Sequence, residues 1–136
     1  MTKAHTQERT YYCGPACLRI VQEQLNYVHL LTQDQWAHLA GTRADTGTSI
    51  AGLKRGIRAM ATGFKILRKT ETQFPGLAIF HDHFRDHWMV AISSPPWGMV
   101  DVIDPWSGIT ETRAWMHFQR DYLNTVRKSY ALLVYP

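Results

Sequence analysis

Apolar residues recur at helical spacing through the first 60 positions and alternate with polar ones after that. Gly14–Leu25 predicts a helix. Pro15 suits its first turn, and Ala16, Cys17, Ile20, Val21 and Leu25 fall on one stripe. Thr32–Ala40 predicts a second, short helix, with Thr32 as N-cap, Gln35 completing a capping box and Gly41 as the stop. A polar, turn-rich loop follows from Gly41 to Thr48. Ser49 then caps a third helix that carries Ile50, Leu53, Ile57 and Met60, with Gly63 beyond its end.

From there the period changes. Phe64–Ile66 alternates as a strand, and Gly76–Phe80 is a short apolar run. His87–Ser93 and Met99–Ile103 predict two strands joined through the turn signal Pro95-Pro96-Trp97-Gly98, and Ser129–Tyr135 a last one. Thr112–Tyr122 fits either period and is assigned to a helix. Helices first and strands after predict an α+β class, with N-terminal helices packed on a mainly antiparallel β-sheet.

Composition narrows the setting. With 136 residues, 45 % apolar and 19 % charged, the chain predicts a single globular domain over 1–136, without internal repeats or low-complexity segments. Its apolar runs, such as Trp88–Ile92, are no longer than six residues. A membrane span needs about 20, so none is expected. The polar stretch Met1–Thr10 shows no secretory signal, which predicts a cytoplasmic location, with delivery to another cell as the alternative.

Two cysteines are too few for a disulfide framework. Cys13 and Cys17, one helical turn apart, have poor geometry for a bond, so a reduced pair is expected. The net charge of +4 is uneven: six basic residues and no acid fall between Ala51 and Thr70, namely Lys54, Arg55, Arg58, Lys65, Arg68 and Lys69. The segment reads either as a solvated surface or as a docking face for an acidic partner. Nucleic acid is not expected, because no nucleic-acid-binding motif accompanies it.

The chemistry gathers at Cys13. A thiol at a helix N-terminus faces unsatisfied N–H groups, which favour the thiolate, and Gly14 would leave room for a substrate carbonyl. The bland alternative is a buried cysteine at a helix start. Gln7, six residues earlier, could donate an amide hydrogen beside the Cys13 N–H and so form an oxyanion hole. His87 opens the strand His87-Trp88-Met89-Val90-Ala91-Ile92, and Asp104 follows the next strand in Val102-Ile103-Asp104-Pro105. In an antiparallel hairpin the start of one strand lies beside the end of the next, so His87 and Asp104 are expected as neighbours, the carboxylate fixing the imidazole tautomer. Taken singly, a strand-end histidine and an Asp-Pro turn starter need no function.

Gln7 followed by Cys13-Gly14-Pro15-Ala16-Cys17-Leu18 resembles the bacteriocin-processing cysteine peptidases. That papain-like group includes the N-terminal peptidase domains of ABC exporters that cleave after a double glycine in leader peptides. The resemblance continues through Asp45-Thr46-Gly47-Thr48-Ser49 with Gly52-Leu53, through Gly76-Leu77-Ala78-Ile79 and His87-Trp88-Met89-Val90, and through the aspartate turn from Asp101 to Gly108. It implies a papain-like fold and a cysteine peptidase with Cys13 as nucleophile, His87 as acid and base, Asp104 orienting His87, and Gln7 with the Cys13 N–H binding the oxyanion. It also implies a peptide or protein substrate, and an exporter or an inhibitory immunity protein as candidate partners. Nothing calls for a cofactor.

The alternatives are a standalone toxin-like protease that cuts a target in another cell, and a papain-like domain that binds a peptide without cutting it. Thiol chemistry also serves acyl transfer and deamidation. A metal site remains a rival. In an extended stretch, His81, His83 and His87 would share one face, with Asp82 and Asp86 close by. Cys17 reads as core packing, and Trp88, Trp97 and Trp106 flank the candidate residues.

Overall fold

The computed structural model describes residues 6–60, 63–66, 76–82, 86–94, 98–123 and 131–135. Helix α1 (Cys13–Gln24) begins one residue earlier than the sequence predicts, so Cys13 is its first residue. Helix α2 (Gln33–Ala40) carries the predicted capping box. The Thr32 hydroxyl accepts from the Gln35 N–H, the Gln35 side chain accepts from the Thr32 N–H, and Gly41 ends the helix at φ +65°. In α3 (Ile50–Met60) the Ser49 hydroxyl accepts from the Gly52 N–H, satisfying one of the free donors of the first turn.

Six strands among the described residues form one antiparallel sheet in the order β1-β6-β2-β3-β4-β5. They are β1 (Gly63–Ile66), β2 (Leu77–Asp82), β3 (His87–Ser94), β4 (Met99–Ile103), β5 (Thr110–Ala114) and β6 (Ala131–Tyr135). The architecture is α+β, with the N-terminal helices packed on the sheet as the sequence predicts. Ser129 and Tyr130 of the last predicted strand lie outside the described residues, as do Pro95, Pro96 and Trp97 of the predicted turn.

The sheet is buried on both faces, and successive side chains divide between them. Ile79, Trp88, Val90, Leu132 and Val134 join Leu18, Val21, Trp36, Leu53 and Ile57 on the side of the three helices. Ala78, Phe80, Met89, Ala91, Ala131 and Leu133 face the other way, onto Trp115, Phe118, Tyr122 and Leu123. Those four belong to a short helix, α4 (Trp115–Phe118), and the π-helical turn Gln119–Leu123 that continues it. Burial on both faces explains why β2, β3 and β6 read as continuous apolar runs.

The helix assigned to Thr112–Tyr122 needs correction at its start. Thr110–Ala114 is β5, paired with β4 from Met99↔Ala114 to Ile103↔Thr110, and helical structure begins only at Trp115. The strand lies at the sheet edge and is mostly exposed, so it carries Thr, Glu and Arg in place of an apolar alternation. Charged side chains on an edge strand also discourage pairing with another chain. None of the described helices is long and apolar enough to cross a membrane.

Candidate active site

Helix α1 is buried along most of its length, including Cys13, Ala16, Cys17, Leu18, Ile20 and Val21. Its N-terminus is fixed from two directions. Tyr12, the N-cap residue, donates its phenol hydrogen to Asp34 of α2 at 2.6 Å, a bond that also holds the phenol above its ordinary range. The segment before it is tied down by the buried Gln33, which accepts from the Glu8 N–H and donates to the Thr6 carbonyl, both at 2.9 Å. The Gln7 N–H donates to the Pro105 carbonyl at 2.8 Å, so this segment also touches the turn after β4.

That turn presents Asp104. Its backbone N–H donates to the Ile109 carbonyl at 3.1 Å and its carbonyl accepts from the Gly108 N–H at 2.8 Å, closing the β4–β5 loop. The Asp104 carboxylate accepts from the Trp106 N–H at 2.9 Å, an Asx turn of the kind an Asp-Pro pair predicts. The same Oδ1 lies 2.6 Å from His87 Nε2. Both side chains are largely buried, and a short contact of this kind is a strong, charge-assisted hydrogen bond. The carboxylate accepts, so Nε2 carries the hydrogen and Nδ1 is left for another partner. Thus the hairpin brings His87 and Asp104 together as the strand order predicts.

Cys13 and His87 line one cleft of ≈ 590 Å³. Its walls include Tyr11, the loop from Ala44 to Ser49, His81, Asp86, Trp88 and Trp106. Cys13 and Cys17 are both free thiols. The expected bias toward thiolate is not what the resting site shows. Burial pushes the Cys13 thiol up; the N–H groups of Trp88 and Gly14 pull it down, the Asp86 carboxylate pushes it up again, and the Cys13 N–H pulls it down, with a net upward direction. The helix N-terminus acts on the thiol as anticipated, but desolvation outweighs it. Cys17 is wholly buried and its thiol is held well above the ordinary range, first by burial and then by the nearby Cys13 and Asp104 charges.

Gly14 serves packing, not an approaching carbonyl. A Cβ there would fall 2.3 Å from Thr48 Oγ1 and 2.5 Å from Thr48 Cβ, so the loop before α3 already fills that space. Thr48 is held in turn by its hydroxyl contact with Thr42 at 2.7 Å and by its carbonyl, which accepts from Trp88 Nε1 at 2.9 Å. Nothing in the local sequence marks Thr48 as a buried strut between the thiol's helix and the histidine's strand.

Gln7 sits close to the Asp104 turn and is not among the residues lining the cleft. Its Nε2 donates to the Arg9 and Thr10 carbonyls at 2.9 and 3.0 Å, and its Oε1 is buried without a hydrogen-bond partner.

The shared face expected for the histidines does not form. Residues 81 and 87 lie on opposite strands of the β2–β3 hairpin, in the adjacent register pairs His81↔Trp88 and Asp82↔His87, so their side chains point to opposite faces. The His81 ring packs on Trp88 at 4.8 Å and meets Asp86 at 2.9 Å, whereas His87 meets Asp104. His83 lies outside the described residues, and among those described no group of three or more His, Cys, Asp or Glu side chains could hold a metal ion.

Of the basic segment, the described Lys54, Arg55 and Arg58 are not among the residues lining the cleft. Lys54 and Arg58 flank the Phe64 ring at 5.6 and 5.1 Å, and Arg55 donates to the Leu39 and Ala40 carbonyls at the end of α2. Arg68 and Lys69 lie outside the described residues.

No protein-family model matches the sequence, and no curated protein matches it. The fold is similar to that of the peptidase domain of Streptococcus ComA, a bi-functional ABC transporter involved in a quorum-sensing pathway. The TM-score is 0.66 at 19 % sequence identity, covering 98 % of this chain and 99 % of that one.

Proposed function

We propose that the protein is a papain-like cysteine peptidase in which Cys13 attacks a peptide carbonyl, His87 moves the proton and Asp104 orients His87. The observation that carries this reading is the 2.6 Å bond from His87 Nε2 to Asp104, with His87 and Cys13 lining the same cleft. Nδ1 then accepts the thiol proton as the Cys13 sulfur bonds to the carbonyl carbon. The raised resting thiol makes this transfer part of the attack, not a step completed before substrate arrives. The imidazolium next protonates the leaving amine, giving a thioester, and neutral His87 activates the water that hydrolyses it.

The Cys13 N–H is one oxyanion donor in this scheme, and Gln7 is the second. Both Gln7 amide hydrogens are engaged at rest, so its part requires one backbone carbonyl to be exchanged for the substrate oxygen. One such donor is typically worth ~10²–10³ in rate. A leader peptide ending in a double glycine is the substrate class to try first, given the resemblance around Cys13 and the fold shared with the peptidase domain of an ABC transporter.

A cleavage profile on a mixed peptide library tests the proposal, with Cys13→Ala as control. Cleavage by wild type alone supports it. A second reading, a domain that binds peptides without cutting them, draws on the raised thiol and the engaged Gln7 amide. No cleavage, together with a Cys13 no more reactive than Cys17 toward an activated-thiol probe, would favour that reading.

A further inference from the structure

Among the described residues, the lining of the cleft around Cys13 is opposite in charge to the chain as a whole. The protein has a net +4, yet the charged side chains lining the cleft among the described residues are Asp45 and Asp86, with no Lys or Arg. The two carboxylates come from separate segments. Asp45 lies on the loop between α2 and α3, and Asp86 immediately precedes His87. Neither is a core acid: their side chains are 70 % and 95 % exposed. Asp45 meets Arg43 Nε at 3.5 Å in solvent, an exposed pairing of small worth that a bound cation can replace.

Asp86 is presented by its surroundings. Its backbone is left-handed at φ +50°, which is uncommon for a residue with a side chain, and its Oδ1 meets His81 Nε2 at 2.9 Å. Aromatic rings share the cleft with the carboxylates. Tyr11 and Trp106 line the same cleft, and Trp106 is 57 % exposed. Carboxylates that share a cleft with an exposed aromatic face suit a long side chain with an apolar stem and a cationic head.

We propose that the cleft selects a peptide with a lysine or arginine side chain beside the bond presented to Cys13, its head held by Asp45 and Asp86 and its stem against Tyr11 and Trp106. The proposal rests on the reading of this cleft as a peptide-binding site and adds the chemical class of its occupant. It also has a consequence for the reaction. The Asp86 charge opposes ionisation of Cys13, and a substrate cation placed there cancels that opposition. An acidic partner of the Lys54–Arg58 surface would engage a different part of the molecule, since neither residue lines the cleft.

The test uses the full chain with Cys13→Ala, so that binding is read without turnover. Fluorescein-labelled hexapeptides differing at one central position, Lys, norleucine or Glu, are titrated by anisotropy. The expected order is Lys, norleucine, Glu, with Lys roughly tenfold tighter than Glu in 50 mM NaCl and the gap narrowing in 500 mM. Asp45→Asn with Asp86→Asn should bring the three peptides together, and circular dichroism checks that this variant folds. Charge-blind binding, a preference for Glu, or no binding of any peptide overturns the proposal. Wild-type cleavage of the same peptides keeps the two readings apart. Charge-selective binding without cleavage sinks the peptidase alone, and cleavage indifferent to charge sinks this inference alone.

Discussion

Replacing Gly14 by alanine probes the joint between the thiol's helix and the cleft wall. The added Cβ would lie 2.3, 2.5 and 3.0 Å from Oγ1, Cβ and Cγ2 of Thr48, so the whole side chain, including its rigid base, is in the way. Thr48 cannot rotate clear, because its Cβ is fixed by the backbone. Relief requires the 41–49 loop to move off α1, lengthening the 2.9 Å bond from Trp88 Nε1 to the Thr48 carbonyl. Overpacking of this kind costs roughly 1–3 kcal/mol. For a chain of 136 residues that is a fall in Tm of roughly 3–15 °C. Thermal unfolding of Gly14→Ala, of Thr48→Gly and of the double variant isolates the contact. Thr48→Gly alone is destabilising, since it loses the 2.7 Å hydroxyl contact with Thr42 and frees the backbone. In the double variant the clash is gone, so the two losses should fall short of their sum by about 1 kcal/mol or more. The alkylation rate of Cys13 at fixed pH should change in Gly14→Ala and return toward wild type in the double variant. A neutral Gly14→Ala, or strict additivity, would refute the claim that Thr48 fills this space.

Other outcomes follow from the same geometry. Asp104→Asn should leave the fold intact and lower kcat by about 10²-fold or more, because a neutral amide supports the imidazolium poorly; pre-steady-state cleavage assays read it, and an unchanged kcat would remove Asp104 from the mechanism. Stability should fall above about pH 8.5. The buried Cys17 thiol has a raised folded pKa, so the unfolded chain loses its proton first and its share of stability, full below the unfolded pKa, is lost as pH rises toward the folded one. The limiting slope is about 1.4 kcal/mol per pH unit for one proton, and Cys17→Ala should flatten the curve measured by urea unfolding from pH 8 to 10.5. Phe118→Ala should cost about 3–5 kcal/mol by the same assay, since Phe118 is fully buried against Phe80 and Tyr122 on the second face of the sheet.

Much of the fold was legible because local signals and burial agree. The capping box at Thr32 and Gln35, the stop at Gly41 and the cap at Ser49 each depend on a few neighbouring residues, and each forms. The pairing of His87 with Asp104 could be anticipated from strand order alone, since an antiparallel hairpin leaves little choice. β5 was not legible. An exposed edge strand has no buried face to impose a period, and Thr-Glu-Thr-Arg-Ala offers none. The direction of the Cys13 thiol is not legible in the sequence for a related reason. The donors at a helix N-terminus can be read from Gly14-Pro15, but the desolvation that opposes them comes from residues distant in the chain. The contacts of Thr48 with Gly14 and Trp88 are long-range in the same sense, for nothing beside Thr48 in sequence announces its partners.

The two-faced burial of the sheet bears directly on how the chemistry is held. His87 and Asp104 stand at the ends of β3 and β4, where a small change in strand register would displace one past the other. Register is set by packing on both sides. Trp88 and Val90 are locked among the helices, while Met89 and Ala91 are locked against the layer formed by Trp115, Phe118 and Tyr122. A one-residue slip would exchange these sets, driving Trp88 into space shaped for Met89. The C-terminal helical turns, far from the thiol in sequence, therefore help fix the reach of the imidazole. Cys13 is held through Tyr12 to Asp34, through Gly14 to Thr48, and through the burial of α1. Helix α1 and strand β3 also pack on each other, Cys13, Cys17 and Leu18 sharing one apolar cluster with Trp88 and Val90. They are linked again where Thr48 accepts from the Trp88 indole, which makes that contact the place where a single substitution can misalign the site while both layers of the core remain packed.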